Sequence, residues 1–162
     1  MANNYMDLAF EGDADLRRAV SAWQFLLLND ASPVSREIDK QFYKQVLSWG
    51  YTKELEGVPL DTVNIGLRDL INKHLAEHPA TLAAEIMEGE PTWLSFNMLP
   101  SDEVAASWND LFWDVFDTLV AYKLCAQCGK PFKFKSHRAK YCGDACRTQA
   151  SRDRKDNEAP AS

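Results

Sequence analysis

The sequence predicts a mainly α-helical protein, with a helical domain over residues 1–124 and a small cysteine-rich module over residues 125–155. Three observations support this division. Apolar residues recur at helical spacing through most of the first part. All four cysteines of the chain lie in the second part. The first 124 residues carry nine basic and twenty acidic side chains, whereas residues 125–162 carry nine and four. This asymmetry indicates two units with different roles.

The size and composition of the chain are those of a globular protein. It has 162 residues, of which 46% are hydrophobic and 26% are charged, with a net charge of -6. A chain of this length forms one ordinary domain with room for a small module. The first residues carry neither the basic flank nor the apolar run of a secretory signal, and the longest strictly apolar run in the first forty residues, Phe25 to Leu28, is far too short for a membrane span. We therefore expect a soluble cytoplasmic protein.

Two helices are predicted in the first fifty residues. Segment 13–29 has apolar side chains every three or four positions, which places them on one helical face. A second helix is predicted with Ser32 as its N-cap and Pro33 at its first position, ending before Gly50. Its apolar face comprises Ile38, Phe42, Val46 and Trp49.

The middle of the chain predicts one clear helix and two weaker elements. Segment 61–78 is amphipathic and is followed by Pro79, which cannot continue a helix. A short helix is predicted near residues 81–88. Segment 92–99 alternates apolar and polar residues and is interpreted as a short strand or a buried extended connection.

The most strongly patterned helix is predicted over residues 101–124, with its start marked by Pro100 and Ser101. It is expected to be the central core helix and to run into Cys125 without a linker. The acidic residues Asp110, Asp114 and Asp117 fall opposite its apolar stripe. This face is interpreted as solvent-exposed or as docking on a basic surface, either a partner's or that of the chain's own cysteine module.

The cysteines have the spacing Cys125-x2-Cys128-x13-Cys142-x3-Cys146. Zinc takes four soft ligands in a tetrahedron, and two close cysteine pairs joined by a loop of this length supply them. Residues 131–135 alternate like a hairpin strand, and a helix is predicted from Cys142 onward, with two sulfurs on one side of its first turn. Four cysteine ligands leave no open position for water or substrate, so we predict one structural zinc ion.

Two other interpretations of the cysteines are weaker. A pair of disulfides requires an oxidising compartment, which the absent signal argues against. A redox Cys-x-x-Cys lies at a helix start, whereas Gly129 and Pro131 follow the first pair here. His137 is an alternative ligand, but it is expected to face solvent because four cysteines already complete the set.

Residues 125–152 resemble treble-clef zinc fingers found near the C-termini of many bacterial proteins, including CGNR-type zinc-finger proteins. In those proteins a helical domain precedes the finger, and the resemblance implies DNA binding and transcription regulation. The chain has Cys-Arg-Thr-Gln where that family has Cys-Gly-Asn-Arg, and the resemblance covers the finger alone. The matching positions are Cys125, Cys128, Gly129, Phe132, Tyr141, Cys142, Cys146, Arg147 and Ala150.

The cysteine module is predicted to bind nucleic acid. Residues 125–162 have a net charge of +5, which falls to about +3 with four thiolates and one Zn²⁺, and the aromatic residues of the module interleave with the basic ones. The alternative is a protein-interaction or scaffold protein whose finger is purely structural and whose acidic helical domain binds a protein partner. The predicted nucleic-acid contacts are Lys133, Lys135, Arg138, Lys140, Arg147, Arg152, Arg154 and Lys155.

The segment 74–78, His-Leu-Ala-Glu-His, matches the pattern of inverted zinc peptidases. We interpret it as a chance match at the end of a helix, where histidine suits the helix dipole, and we predict that the protein is not an enzyme. The remaining segment, 156–162, is polar and is predicted to be a disordered tail.

Overall fold

A computed structural model of the chain describes residues 4–29, 38–78, 80–87, 93–116, 121–134, 136 and 138–158, with the backbone alone for 80–87, 93–98, 116 and 156–158. The described fold is mainly helical, with a small antiparallel sheet near the C-terminus, as the sequence predicts. The helices are α1 (Tyr5–Glu11), α2 (Ala14–Asn29), α3 (Lys40–Ser48), a short 3₁₀ helix (Tyr51–Leu55), α4 (Leu60–Glu77), α5 (Glu103–Phe116) and α6 (Asp144–Glu158). The strands are β1 (Ala80–Met87), β2 (Trp93–Pro100), β3 (Tyr122–Leu124) and β4 (Pro131–Lys133).

Helix α2 lies at the centre of the helical domain and packs against α1, α3, α4 and the 3₁₀ helix. Its predicted apolar face is buried, because spacing of three and four places those side chains on one side of the helix. Helix α4 contributes a matching buried stripe of Val63, Leu67 and Ile71. The periodicity of these two helices thus identifies the core, which α1 and α5 complete with the buried Tyr5, Met6, Trp108 and Leu111.

Helix α3 begins later than predicted. Its N-cap is Asp39, whose carboxylate accepts a hydrogen bond of 2.9 Å from the backbone N–H of Phe42. The predicted start at Ser32 and Pro33 lies outside the described residues. Phe42 and Val46 are buried as expected, and Trp49 is at the C-cap.

The prediction of a short helix near residues 81–88 is wrong, because strand β1 occupies this region. It pairs antiparallel with β2, in a register from Ala80 opposite Pro100 to Met87 opposite Trp93. Alanine, leucine and glutamate favour helix locally, but cross-strand pairing with a neighbour overrides a weak local propensity. The adjacent alternating segment is the second strand, in agreement with the strand interpretation.

The prediction that α5 runs into Cys125 is also wrong. The described helix ends at Phe116, and the chain enters Cys125 from strand β3. Strand β3 pairs with β4, so that Tyr122 is opposite Lys133 and Leu124 is opposite Pro131. The predicted strand at 131–135 is therefore present over residues 131–133, and its partner comes from before the cysteines. Helix α6 extends to Glu158, past the predicted start of the tail.

A buried carboxylate joins the helical domain to the C-terminal hairpin. Asp114 of α5 is 5% exposed. Its Oδ2 accepts hydrogen bonds from the hydroxyls of Tyr5 at 2.7 Å and Tyr122 at 2.9 Å. Its Oδ1 lies 2.7 Å from Nζ of Lys133 on β4. The interpretation that the acidic face docks on the chain's own cysteine module is thus correct for Asp114, whereas Asp110 is exposed and Asp117 lies outside the described residues.

The two tyrosines that bind Asp114 remain donors. Burial, followed by the nearby Tyr122 and Asp114, raises the pKa of Tyr5 well above its usual value. Burial likewise raises the pKa of Tyr122. The Tyr122 ring lies in an aromatic cluster, 6.1 Å from Tyr5, 6.3 Å from Trp23 and 5.9 Å from Phe42 between ring centroids. The residue three positions before Cys125 is therefore part of the helical core.

Within the described residues, no helix combines the length and the apolar character that a membrane crossing requires.

The Asp114→Ala substitution is expected to lower the free energy of unfolding by about 3 kcal/mol, because it leaves two buried tyrosine hydroxyls without their charged acceptor. The Lys133→Met substitution is expected to cost less, about 1 kcal/mol, because the lysine is half exposed. Urea unfolding monitored by circular dichroism measures both. Asp69→Ala, at an exposed position of α4, is the matched control and should change stability by less than about 0.5 kcal/mol. Equal effects at 69 and 114 would show that Asp114 does not join the two parts of the protein.

Candidate metal centre

The four cysteines are contributed by two turns and one helix start. Cys125 follows β3 directly, and Cys128 lies in the turn that leads to β4. Cys142 precedes α6, and Cys146 lies in the first turn of that helix. The prediction that the last helix starts at Cys142 is therefore wrong by two residues, since α6 begins at Asp144.

The first cysteine pair lies in a tight backbone turn. The N–H of Gly129 donates to the carbonyl of Cys125 at 2.9 Å, and the N–H of Cys125 donates to the carbonyl of Lys130 at 2.8 Å. Gly129 has φ +70°, in the left-handed region that glycine enters without steric cost. The glycine after Cys128 is thus what allows the backbone to turn back toward Cys125.

The four sulfur atoms fit a single metal ion. All of them lie within 4.8 Å of one another. The Sγ atoms of Cys128 and Cys142 are 3.8 Å apart, and those of Cys142 and Cys146 are 3.5 Å apart. A tetrahedral centre with metal–sulfur bonds of about 2.3 Å requires sulfurs about 3.8 Å apart. The cysteines are free of disulfides, and they form a site that could hold a metal ion.

The electrostatics of the cluster also favour a bound cation. Burial opposes ionisation of Cys125, but the backbone N–H groups of Cys128, Cys142 and Gln127 outweigh it and lower its pKa to about 6. Burial and the neighbouring thiols raise the pKa of Cys142 to about 12. Four thiols at this distance cannot all ionise by themselves, because their negative charges repel. A divalent cation removes this conflict.

One side-chain contact joins α6 to the cysteine turn. The side chain of Gln127 donates to Oδ2 of Asp153 at 2.8 Å, and Gln149, on the same helix as Asp153, donates to Oδ1 of that carboxylate at 2.7 Å. The N–H of Ala126 donates to the carbonyl of Lys140 at 2.9 Å, which joins the turn to the segment before α6. The Gln127–Asp153 contact orients the helix relative to the cysteines. The sequence does not reveal these contacts, because neither a glutamine nor a lone aspartate lies at a spacing that indicates its partner.

A basic cleft lies beside the metal site. Arg138, Lys140 and Arg147 line a cavity of about 320 Å³, together with Tyr141 and Asp144 at the start of α6. Arg147 forms an ion pair of 2.6 Å with Asp144, and both side chains are exposed. Three of the eight residues predicted to contact nucleic acid are therefore brought together in one concave surface.

The other five predicted contacts are distributed differently. Lys133 is paired with Asp114 and belongs to the junction described above. Arg152, Arg154 and Lys155 lie further along α6, and Nε of Arg154 donates to the carbonyl of Ala150 on its own helix. Lys135 lies outside the described residues, as does His137.

The buried aromatic residue of the module is Phe134, which is 9% exposed. The ammonium of Lys123 lies 4.4 Å from its ring centroid. Phe132 and Tyr141 are half-buried. Tyr141 thereby presents part of its ring to the basic cleft.

The two histidines of segment 74–78 bind different carboxylates. Nε2 of His74 lies 2.9 Å from Asp15, and its ring stacks on Trp108 with centroids 4.0 Å apart. Nδ1 of His78 lies 3.0 Å from Asp102. In the described part of the chain, the four cysteines are the one group of three or more His, Cys, Asp or Glu side chains placed to share a metal ion.

No protein-family model, curated protein or solved structure matches the chain. The resemblance to CGNR-type fingers therefore has no support from a family match.

The purified protein is expected to hold one metal ion per chain. Cys125→Ser and Cys142→Ser should each lose the ion, because three sulfurs and a poor hydroxyl ligand do not complete the site. Native mass spectrometry measures the stoichiometry directly. His78→Gln, at a partly exposed histidine, is the control and should retain the ion. Retention in both serine variants, or loss in the histidine variant, would exclude a four-cysteine centre.

Proposed function

We propose that the protein binds nucleic acid through a treble-clef finger that one structural zinc ion stabilises. The resemblance of residues 125–152 to bacterial zinc fingers suggests transcription regulation in the cytoplasm as its setting. The observation that carries the proposal is the basic cleft formed by Arg138, Lys140 and Arg147 beside the metal centre.

Zinc is the metal that the ligand set supports best. Four cysteine sulfurs at tetrahedral spacing are typical of structural zinc sites, in which every coordination position is filled. A module of about thirty residues is too small to form a stable hydrophobic core, so metal binding supplies much of its folding free energy. The zinc then has no catalytic role and maintains the shape of the basic surface.

The cleft has the chemistry of a phosphate-binding surface. Two arginines and one lysine line it, and α6 begins at its edge, where the helix dipole is positive. The Asp144–Arg147 pair is exposed and contributes little stability, so a phosphate can replace the carboxylate as the partner of Arg147. Tyr141 lines the same cleft and offers a ring for contact with a base or sugar.

Arg152, Arg154 and Lys155 extend the proposed surface along α6. Lys135 remains a proposed contact on the basis of its charge alone. Lys133 is assigned to the junction with Asp114, because its ammonium is already neutralised by a buried carboxylate.

A scaffold role is the second candidate, and the Asp114–Lys133 contact favours it. This ion pair holds the finger against the acidic helical domain. In that case the finger is purely structural, and the acidic surface binds a protein partner of opposite charge.

Combined Arg138→Ala, Lys140→Ala and Arg147→Ala substitutions are expected to weaken binding to a duplex of about twenty base pairs. The logarithm of the affinity should also depend less steeply on the logarithm of salt, by about 0.9 for each phosphate that the variant no longer neutralises. Fluorescence anisotropy between roughly 50 and 200 mM salt measures both quantities.

The matched control is Lys40→Ala with Lys44→Ala and Lys53→Ala, which removes three exposed positive charges from the helical domain and should leave binding nearly unchanged. An equal loss of affinity in this control would show that binding follows total charge and not the cleft. If duplex DNA, single-stranded DNA and RNA all fail to bind at the lowest salt, the nucleic-acid proposal is wrong and the scaffold role takes its place.

A further inference from the structure

A second cleft lies in the helical domain, away from the metal centre. It is formed between α2, α4 and the segment that contains the 3₁₀ helix, and it has a volume of about 270 Å³. This is close to the lower end of the range for small-molecule sites, which is about 300 Å³. Its walls are mainly aliphatic, and the apolar lining comprises Ala22, Leu55, Val58, Val63, Leu67 and Leu70.

The lining of this cleft contains an exposed glycine, Gly66, that packing does not require. Gly66 lies inside α4 and has no positive φ. A Cβ atom built at this position would meet no atom within 4 Å. A glycine inside a helix costs about 1 kcal/mol relative to alanine, and it is usually explained by the close approach of another element. Here no neighbour approaches, and the missing side chain leaves the cleft open.

The lining of the cleft includes Arg18, whose side chain is 55% exposed. The Cζ atom of Arg18 lies 5.3 Å from the ring centroid of Tyr51, which also lines the cleft. Nη1 of Arg18 lies 3.5 Å from Oδ1 of Asp15, and Oδ2 of Asp15 binds His74. Because this exposed ion pair contributes little stability, the carboxylate of a ligand can replace Asp15 as the partner of Arg18. Glu54 is the acidic residue of the lining, and its side chain is exposed.

We propose that this cleft binds a small amphipathic carboxylate, with the apolar body against the aliphatic walls and the carboxylate on Arg18. Burial of the apolar body provides most of the binding free energy, because it removes hydrocarbon from water. Arg18 selects the charge of the head group. Gly66 is kept without a side chain because the ligand occupies the space above it.

Isothermal titration calorimetry of the full metal-loaded chain tests this proposal with three probes of equal chain length: octanoate, 1-octanol and octylamine. Octanoate should bind about fivefold more tightly than octanol, and octylamine most weakly. The Arg18→Gln substitution should remove the preference for octanoate over octanol while retaining the binding of both.

The Gly66→Leu substitution separates a ligand site from a structural role. It should abolish binding of all three probes, because the new side chain fills the cleft. It should also leave the melting temperature unchanged or raise it by roughly 2 °C, because leucine favours helix more than glycine does. Asn72→Leu, on α4 but outside the cleft lining, should bind octanoate like the native protein.

Three results would overturn the proposal. They are the absence of octanoate binding to the native chain, tighter binding of octylamine than of octanoate, and full retention of binding in a folded Gly66→Leu variant.

Discussion

The structure depends on one buried carboxylate. Asp114 accepts hydrogen bonds from a tyrosine of the first helix and a tyrosine of the hairpin, and it neutralises a lysine of the second hairpin strand. A buried carboxylate is costly unless all its lone pairs are used, and this one is stabilised only when α1, α5 and the hairpin lie together. The same contact explains why Tyr122, three residues before the first cysteine, is buried among the aromatic side chains of the core. The helical domain and the cysteine module therefore form one packed unit.

The contact with Asp114 divides the basic side chains of the C-terminal module into one that is neutralised within the protein and others that remain on the surface. The four cysteines are placed to hold a metal ion, and other residues form the charged surface. One basic side chain, Lys133, pairs with Asp114 of the helical domain, whereas Arg138, Lys140 and Arg147 line the cleft. The carboxylate of Asp153 is also bound within the module, by Gln127 of the cysteine turn and by Gln149 of its own helix. The net charge of the module is thus a poor guide to phosphate binding. Charges that are already neutralised within the protein attract phosphate only weakly.

The sequence predicts the features that local spacing encodes. Spacing of three and four residues identifies the buried faces of α2 and α4, and the cysteine spacing identifies the four side chains that could hold a metal ion, because both are properties of a single segment. Features that depend on distant partners are predicted only in part, since docking of the acidic face on the chain's own cysteine module is one of several alternatives that the pattern leaves open. Strand β1 forms through its pairing with β2 in spite of helix-favouring residues. Asp114 has the pattern of a surface residue on α5, and its burial requires Tyr5, which is 109 positions away. Likewise, the end of α5 before Cys125 follows from the pairing of β3 with β4, which no pattern within the helix reveals.

We infer that the cysteine module and the helical domain fold as one unit through Asp114 and Tyr122. Hydrogen exchange measured by mass spectrometry, on the metal-loaded and the metal-stripped protein, can test this cooperativity. Removal of the metal should expose the amides of residues 121–158, and the loss of protection should spread to the peptides that contain α1 and α5. Loss of protection confined to residues 121–158, with α1 and α5 as protected as before, would show that the two parts do not fold as one unit.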